Sequence, residues 1–176
     1  MLIKTIFAGF GGQGVLSMGL NLAQAAMSEG KNVTYLPSYG VEVRGGTANC
    51  TVAISDEEIA SPVASSPEFV VAMNQPSVMR FQNQIESGGV LLFNSSLVEA
   101  EISRGDIEIV RVPASSIAEE LGSPRSANMV MLGAFTKKSN LVCPSTLIEE
   151  LGKTMKRKGK LLAVNKKALM AGYDLF

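Results

Sequence analysis

The chain has 176 residues, 46% of them hydrophobic and 18% charged, a composition that buries a core and excludes a disordered or fibrous polypeptide. Its 16 basic and 16 acidic side chains cancel, which leaves no electrostatic footprint for nucleic acid or anionic lipid. There is no histidine, which rules out a Ser-His-Asp triad, a Cys-His pair and His-ligated zinc.

Leu2 to Ala8 is a short, mostly apolar run that stops at a glycine cluster, as a central strand buried on both faces does. From Val15 to Glu29 the apolar positions Leu16, Leu20, Ala23 and Met27 recur at helical spacing, and Gly30 stops the helix. Asn32 to Leu36 is a second strand, ended by Pro37, so a βαβ unit is predicted with strands one and two in parallel. Thr5 to Ser28 carries no charge and exceeds the ~20 residues that span a bilayer. Gln13, Asn21, Gln24 and several glycines interrupt it, so it reads as strand, loop and helix rather than a membrane span.

Thr47 to Ser55 is a strand that follows a short loop without a helix, which predicts an antiparallel neighbour and a mixed sheet. Phe69 to Met73, Val90 to Phe93 and Ile107 to Val112 are further strands, with a crossover helix between Gln75 and Ser87. Pro113 to Leu121 is a short helix that Ser115 or Ser116 could cap. Arg125 to Lys138, Ser145 to Lys158 and Lys160 to Ala171 favour helices packed on the sheet, with Met129 and Met131 as core or interface filler. The expected fold is one α/β domain over residues 1–176, in three α/β/α layers with a mixed, largely parallel sheet and a glycine-rich loop after the first strand.

That loop, Gly9-Phe10-Gly11-Gly12-Gln13-Gly14, satisfies GxGxxG between a predicted strand and a predicted helix. Glycines allow a tight turn and close approach, and the helix start favours a phosphate. A dinucleotide site would also place an acid at the end of strand two, where Leu36, Pro37 and Ser38 stand instead. A Walker A loop is excluded, because no GK[ST] follows. The open readings of the loop are a phosphate-bearing ligand, a stand-alone NAD(P)- or FAD-binding oxidoreductase domain, or glycines that serve packing alone.

Tyr39-Gly40-Val41-Glu42-Val43-Arg44-Gly45-Gly46 is the second constellation. On extended backbone Glu42 and Arg44 share a face, where Arg suits a carboxylate or phosphate; the plain alternative is a surface Glu-Arg pair. Asn128 opens a helical stretch that includes Gly133, and Asn165 precedes Gly172 in the last helix; each Asn reads first as a cap or exposed polar residue. The cations Lys153, Lys156, Arg157, Lys158 and Lys160 read as a solvated face. Cys50 and Cys143 are too few for an iron-sulfur cluster, which takes four thiolates, and two lone thiols without a signal-peptide pattern suit a reducing cytoplasm.

Taken together, GFGGQGV, YGVEVRGG and the Asn128–Gly133 and Asn165–Gly172 segments resemble the gamma subunit of 2-oxoacid:ferredoxin (acceptor) oxidoreductases, over nearly the whole chain. The resemblance implies a single pyruvate/ketoisovalerate oxidoreductase gamma-type domain over residues 1–176. The implied reaction is oxidative decarboxylation of a 2-oxoacid with coenzyme A, giving acyl-CoA and CO2, with electrons passed to ferredoxin. The reading inclines to 2-oxoglutarate over pyruvate or a branched 2-oxoacid. Thiamine diphosphate, Mg2+ and iron-sulfur clusters then belong to alpha, beta and ferredoxin-like delta subunits, since the chain has no GDG segment to hold thiamine diphosphate. This chain would supply no catalytic residue and no metal ligand. Gly11, Gly12, Gln13, Gly14, Glu42, Arg44 and Asn128 would line a coenzyme A interface shared with those subunits, and the isolated chain could self-associate. A purely structural subunit is the competing role.

Overall fold

The chain lays down, in order, β1 (Leu2–Phe10), α1 (Val15–Ser28), β2 (Asn32–Tyr39), β3 (Thr47–Ser55), β4 (Phe69–Ala72) and α2 (Gln75–Phe81). After them come β5 (Val90–Asn94), β6 (Glu108–Val112), α3 (Ala114–Glu120), α4 (Ala127–Ser139), α5 (Pro144–Thr154) and α6 (Gly159–Tyr173). This is a computed structural model, and it describes residues 1–40, 46–99, 101–155 and 159–176.

The strands form one sheet in the order β2-β3-β1-β4-β5-β6. β1 lies at its centre, parallel to β4 on one side and antiparallel to β3 on the other; β4, β5 and β6 continue in parallel, so the sheet is mixed and largely parallel as expected. Alternation sorts the side chains. Phe7, Val71, Leu92 and Val110 enter one core with α1, α3, α4, α5 and α6, while Ile6, Val70, Leu91 and Phe93 enter a second with α2. Helices therefore cover both faces, unevenly.

α4 has no polar stripe because it is sandwiched: every residue from Ala127 to Thr136 is buried. Phe135 anchors it to the sheet, edge-on to Phe7 at 5.3 Å and to Phe69 at 5.4 Å. Met129 and Met131 are core residues, as expected.

Three local expectations are corrected. β2 runs in the direction of β1 but does not pair with it, because β3 lies between them and is antiparallel to both. β2 also continues through Pro37 to Tyr39; it is an edge strand, where a missing N–H costs no ladder bond on its open side. Ser115 and Ser116 lie inside α3 rather than capping it, and their side chains turn back to Asn94 and Ser96 at the end of β5.

Candidate functional site

Residues 11–14 carry the chain from the carboxyl end of β1 into α1. Gly12 and Gly14 hold φ of 99° and 73°, the left-handed region that disfavours any residue with a Cβ. The two positions differ in surroundings. A Cβ at Gly12 would meet nothing within 4 Å, whereas one at Gly14 would run into the Asn128 carboxamide, with Cγ at 2.8 Å. Gly14 is the N-cap of α1 and supplies no side-chain cap, and the first turn has no acidic residue. The leading N–H groups of α1 thus have no side-chain acceptor of their own.

The rest of the loop is fastened from behind. The Gly11 N–H donates to the Gly46 carbonyl at 2.8 Å. Gln13 turns inward: its Oε1 accepts from the Phe10 N–H at 2.7 Å and from Asn74 Nδ2 at 2.9 Å, and its Nε2 donates to the Met73 carbonyl at 3.4 Å. Asn74 is buried, and its Oδ1 also caps α2 by accepting from the Ser77 N–H at 2.9 Å. Asn128 is buried as well and donates to the Gly14 carbonyl at 3.4 Å. Of the residues singled out in the sequence, Gly11, Gly12, Gln13, Gly14 and Asn128 come together here. Glu42 and Arg44 lie outside the described residues.

The loop walls two cavities. On the β3 side is one of about 540 Å³, bounded by Phe10, Gly12, Val15, Leu16, Tyr39 and Ala48, with a mostly apolar lining and two-thirds of Tyr39 exposed. On the β4 side is a smaller, more polar cleft of about 250 Å³, with Gly12, Gln13, Ser115, Arg125 and Asn128 on its walls. Below the larger cavity, Tyr35 donates to the Leu16 carbonyl at 3.2 Å and its hydroxyl is pushed up to about 12, by burial first and then by Cys50 and Tyr39. Burial likewise pushes the Cys50 thiol up to about 12. Both therefore stay protonated near neutral pH.

Asn74 and Arg125 are the site residues that the sequence did not single out. Asn74 had a signal, since Asn followed by Gln75-Pro76-Ser77 is a helix start. Arg125 had none, because only the fold brings it beside the glycine loop. A dinucleotide crevice is not formed, as β3 occupies the place beside β1 that the ribose-binding strand would need. Nor do the residues fit a metal centre: Cys50 is buried, Cys143 is exposed, and no group of three potential ligands occurs among the described residues. No helix among the described residues is long and apolar enough to cross a membrane.

Residues 4–175 match the pyruvate ferredoxin/flavodoxin oxidoreductase family. The ketoisovalerate oxidoreductase subunit VorA of Methanothermobacter thermautotrophicus is 43% identical over 173 residues, covering 98% of this chain and 36% of that subunit. The chain therefore spans about a third of the length of that relative. The 2-oxoglutarate synthase subunit KorC of Archaeoglobus fulgidus is 33% identical over 168 residues, 96% of this chain and 84% of that one. Among solved structures, the keto/oxoacid ferredoxin oxidoreductase gamma subunit from Geobacter sulfurreducens PCA superposes with a TM-score of 0.84 at 27% identity, over 98% of this chain and 96% of that one. The 2-oxoglutarate:ferredoxin oxidoreductase from Magnetococcus marinus, with 2-oxoglutarate, coenzyme A and succinyl-CoA bound, gives 0.91 at 27% identity over 98% of this chain and 30% of that one.

Proposed function

The chain belongs to the pyruvate ferredoxin/flavodoxin oxidoreductase family, and on that premise we propose that residues 1–176 act as its gamma-type domain, in an enzyme complex that oxidatively decarboxylates a 2-oxoacid with coenzyme A. The products are acyl-CoA, CO2 and electrons delivered to ferredoxin. Relatives named for ketoisovalerate, 2-oxoglutarate and pyruvate support the substrate class. Thiamine diphosphate, Mg2+ and the clusters are assigned to alpha, beta and ferredoxin-like delta subunits; in support, this chain has two cysteines where a cluster takes four thiolates, and no group of three potential metal ligands occurs among the described residues.

The observation that carries the reading is the glycine loop standing between an uncapped helix start and an apolar cavity. Coenzyme A pairs strongly anionic phosphates with a long, weakly polar arm that ends in a thiol. The free N–H groups of α1 suit the phosphates, and the cavity bounded by Phe10, Val15, Leu16 and Tyr39 suits the arm. Gly12 keeps the loop open, since any side chain there projects into free volume. Gln13 and Asn128 act from behind, holding the turn in shape through Phe10, Asn74 and Gly14. This chain therefore binds and orients the acyl acceptor, and its partners perform the decarboxylation.

The test is an anaerobic pull-down with the tagged chain, followed by assays of coenzyme A-dependent oxidation of 2-oxoglutarate, pyruvate and ketoisovalerate. Recovery of thiamine- and cluster-bearing subunits with activity toward one of them is expected. A chain recovered alone that binds NADH, NADPH or FAD saturably would overturn the reading. Within the active complex, Gly12→Val should raise the KM for coenzyme A, and unaltered coenzyme A kinetics would reduce the loop to packing.

A further inference from the structure

The chain is neutral as a whole but not in its parts. Residues 56–108 carry nine acidic side chains against two basic ones, whereas residues 151–173 carry seven basic side chains and no acidic one. The two segments belong to opposite sides of the molecule. β4, α2, β5 and their connections send Ala64, Val78, Phe81, Val98 and Ile107 into the core on the α2 side of the sheet. α6 sends Ala168 and Leu169 into the core on the other side, where it packs on α4. The sheet and α4 therefore separate an acidic pole from a basic one.

Little of this charge is used within the chain. Glu57, Glu58, Glu86, Glu99 and Glu101 are exposed at the acidic pole, and Lys160 and Lys167 are exposed at the basic one. None of them enters an ion pair among the described residues. Nor do the charges serve the helices. Lys160 stands in the first turn of α6, the end at which the helix dipole disfavours a cation, and that turn holds no acid. The first turn of α2 holds no acid either, although an acid would be favoured there. A surface charged for solubility alone intersperses the two signs, because grouping like charges costs self-repulsion. The grouping is explained by an opposite surface that faces each pole.

We propose that the opposite surface is a second copy of this chain, with the basic pole of one copy seated on the acidic pole of the next. Lys160 and Lys167 are seven residues apart, so they share one stripe of α6 and can meet the same partner surface. Glu99 and Glu101, in the connection between β5 and β6, lie on the side that receives them. Such a contact joins two different patches, so each copy keeps one pole free and the association continues until a ring closes or the supply of copies ends. It runs across the sheet from face to face. The glycine loop, at the carboxyl end of β1, stays open.

Sedimentation velocity of the full chain, over a range of concentrations, tests this. At about 20 mM NaCl the chain should form species larger than a monomer that grow with concentration, and at about 500 mM it should be a monomer, since screening cuts the reach of these charges from about 20 Å to about 4 Å. Lys160→Glu with Lys167→Glu, and separately Glu99→Lys with Glu101→Lys, should each weaken the low-salt association about tenfold or more and leave the melting temperature unchanged. An equimolar mixture of the two double variants should associate again, because the reversed pole of each fits the reversed pole of the other. A monomer at both salt concentrations overturns the proposal, as does association that persists in high salt. Double variants that associate like the wild type overturn it too, and so does a mixture no stronger than its components. None of the four residues borders the cavities beside the glycine loop, so these outcomes stand apart from the function proposed above.

Discussion

Gly133 of α4 and Gly172 of α6 each press against the backbone of the opposite helix. A Cβ at Gly133 would overlap the Leu169 carbonyl oxygen and lie 2.9 Å from the Tyr173 nitrogen; one at Gly172 would overlap the Val130 carbonyl oxygen and lie 3.0 Å from its Cα. Backbone atoms cannot swing aside as a side-chain tip can, so the two helices would have to separate. In an exposed helix Gly→Ala stabilises by about 1 kcal/mol. At these positions the sign reverses, and Gly133→Ala or Gly172→Ala should each destabilise by about 3 kcal/mol, the upper end of the usual cost of overpacking. Urea unfolding midpoints measure this. The double variant should cost less than the sum, because the first substitution already opens the crossing; full additivity would show that the two contacts act independently, and a net gain in stability would show that the crossing is not tight.

The same pair shows what could be read in advance. Asn128–Gly133 and Asn165–Gly172 stand out in the sequence, and both fall in helices as their composition predicts. That they face each other, with Ser126 bonded to Asn165 beside them, depends on a crossing that no local pattern encodes. The central strands were legible because burial on both faces leaves long apolar runs. The insertion of β3 between β1 and β2 was not, since alternation reveals a strand's faces and not its neighbours. In the site, the glycines were legible through their rarity of conformation. Gln13 was legible as a loop residue, but the direction of its side chain follows from Asn74, 61 residues away.

Asn74 performs two tasks that a conservative change can separate. Its Oδ1 caps α2 and its Nδ2 holds Gln13. Asn74→Ala loses both and should destabilise by about 1–2 kcal/mol. Asn74→Asp keeps an acceptor for the Ser77 N–H but has no donor for Gln13 Oε1. Thermal unfolding should therefore rank wild type, Asp variant and Ala variant in falling order. In the active complex the Asp variant should raise the KM for coenzyme A with kcat little changed, as Gln13 loses its anchor and Gly12 its fixed position. A KM equal to wild type would confine Asn74 to helix capping.

The two cysteines should differ sharply in reactivity. Cys143 is exposed at the start of α5. Cys50 is fully buried beneath Gly19, its thiol donates to the Val15 carbonyl at 3.5 Å, and burial holds its pKa at about 12. Since the thiolate is the reacting species, iodoacetamide at pH 8 should label Cys143 alone in the folded chain and both residues in urea. Peptide mass mapping reads the outcome. Rapid native labelling of Cys50 would mean that α1 lifts from β3 on the time scale of the reaction.

Arg104 and Asp106 make stability depend on pH in a definite window. Arg104 Nε donates to Asp106 Oδ1 at 2.8 Å and Nη2 to Oδ2 at 2.5 Å, while Nη1 donates to the Gln82 and Ile85 carbonyls at 3.0 and 2.7 Å. The guanidinium thus ties the approach to β6 to the turn after α2. Its hydrogen bonds hold the Asp106 carboxyl at about 2, below its ordinary 3.8. A carboxyl whose pKa is lowered by folding adds stability above its unfolded pKa, and that contribution disappears as pH falls through the folded value. Wild type should therefore exceed Asp106→Asn in melting temperature at pH 7, by a margin that shrinks from about pH 4 and vanishes near pH 2. Added salt should also shrink the margin at pH 7, because half of the Asp106 side chain is exposed. A margin that stays constant from pH 7 to pH 2 would assign the effect of the substitution to shape rather than charge.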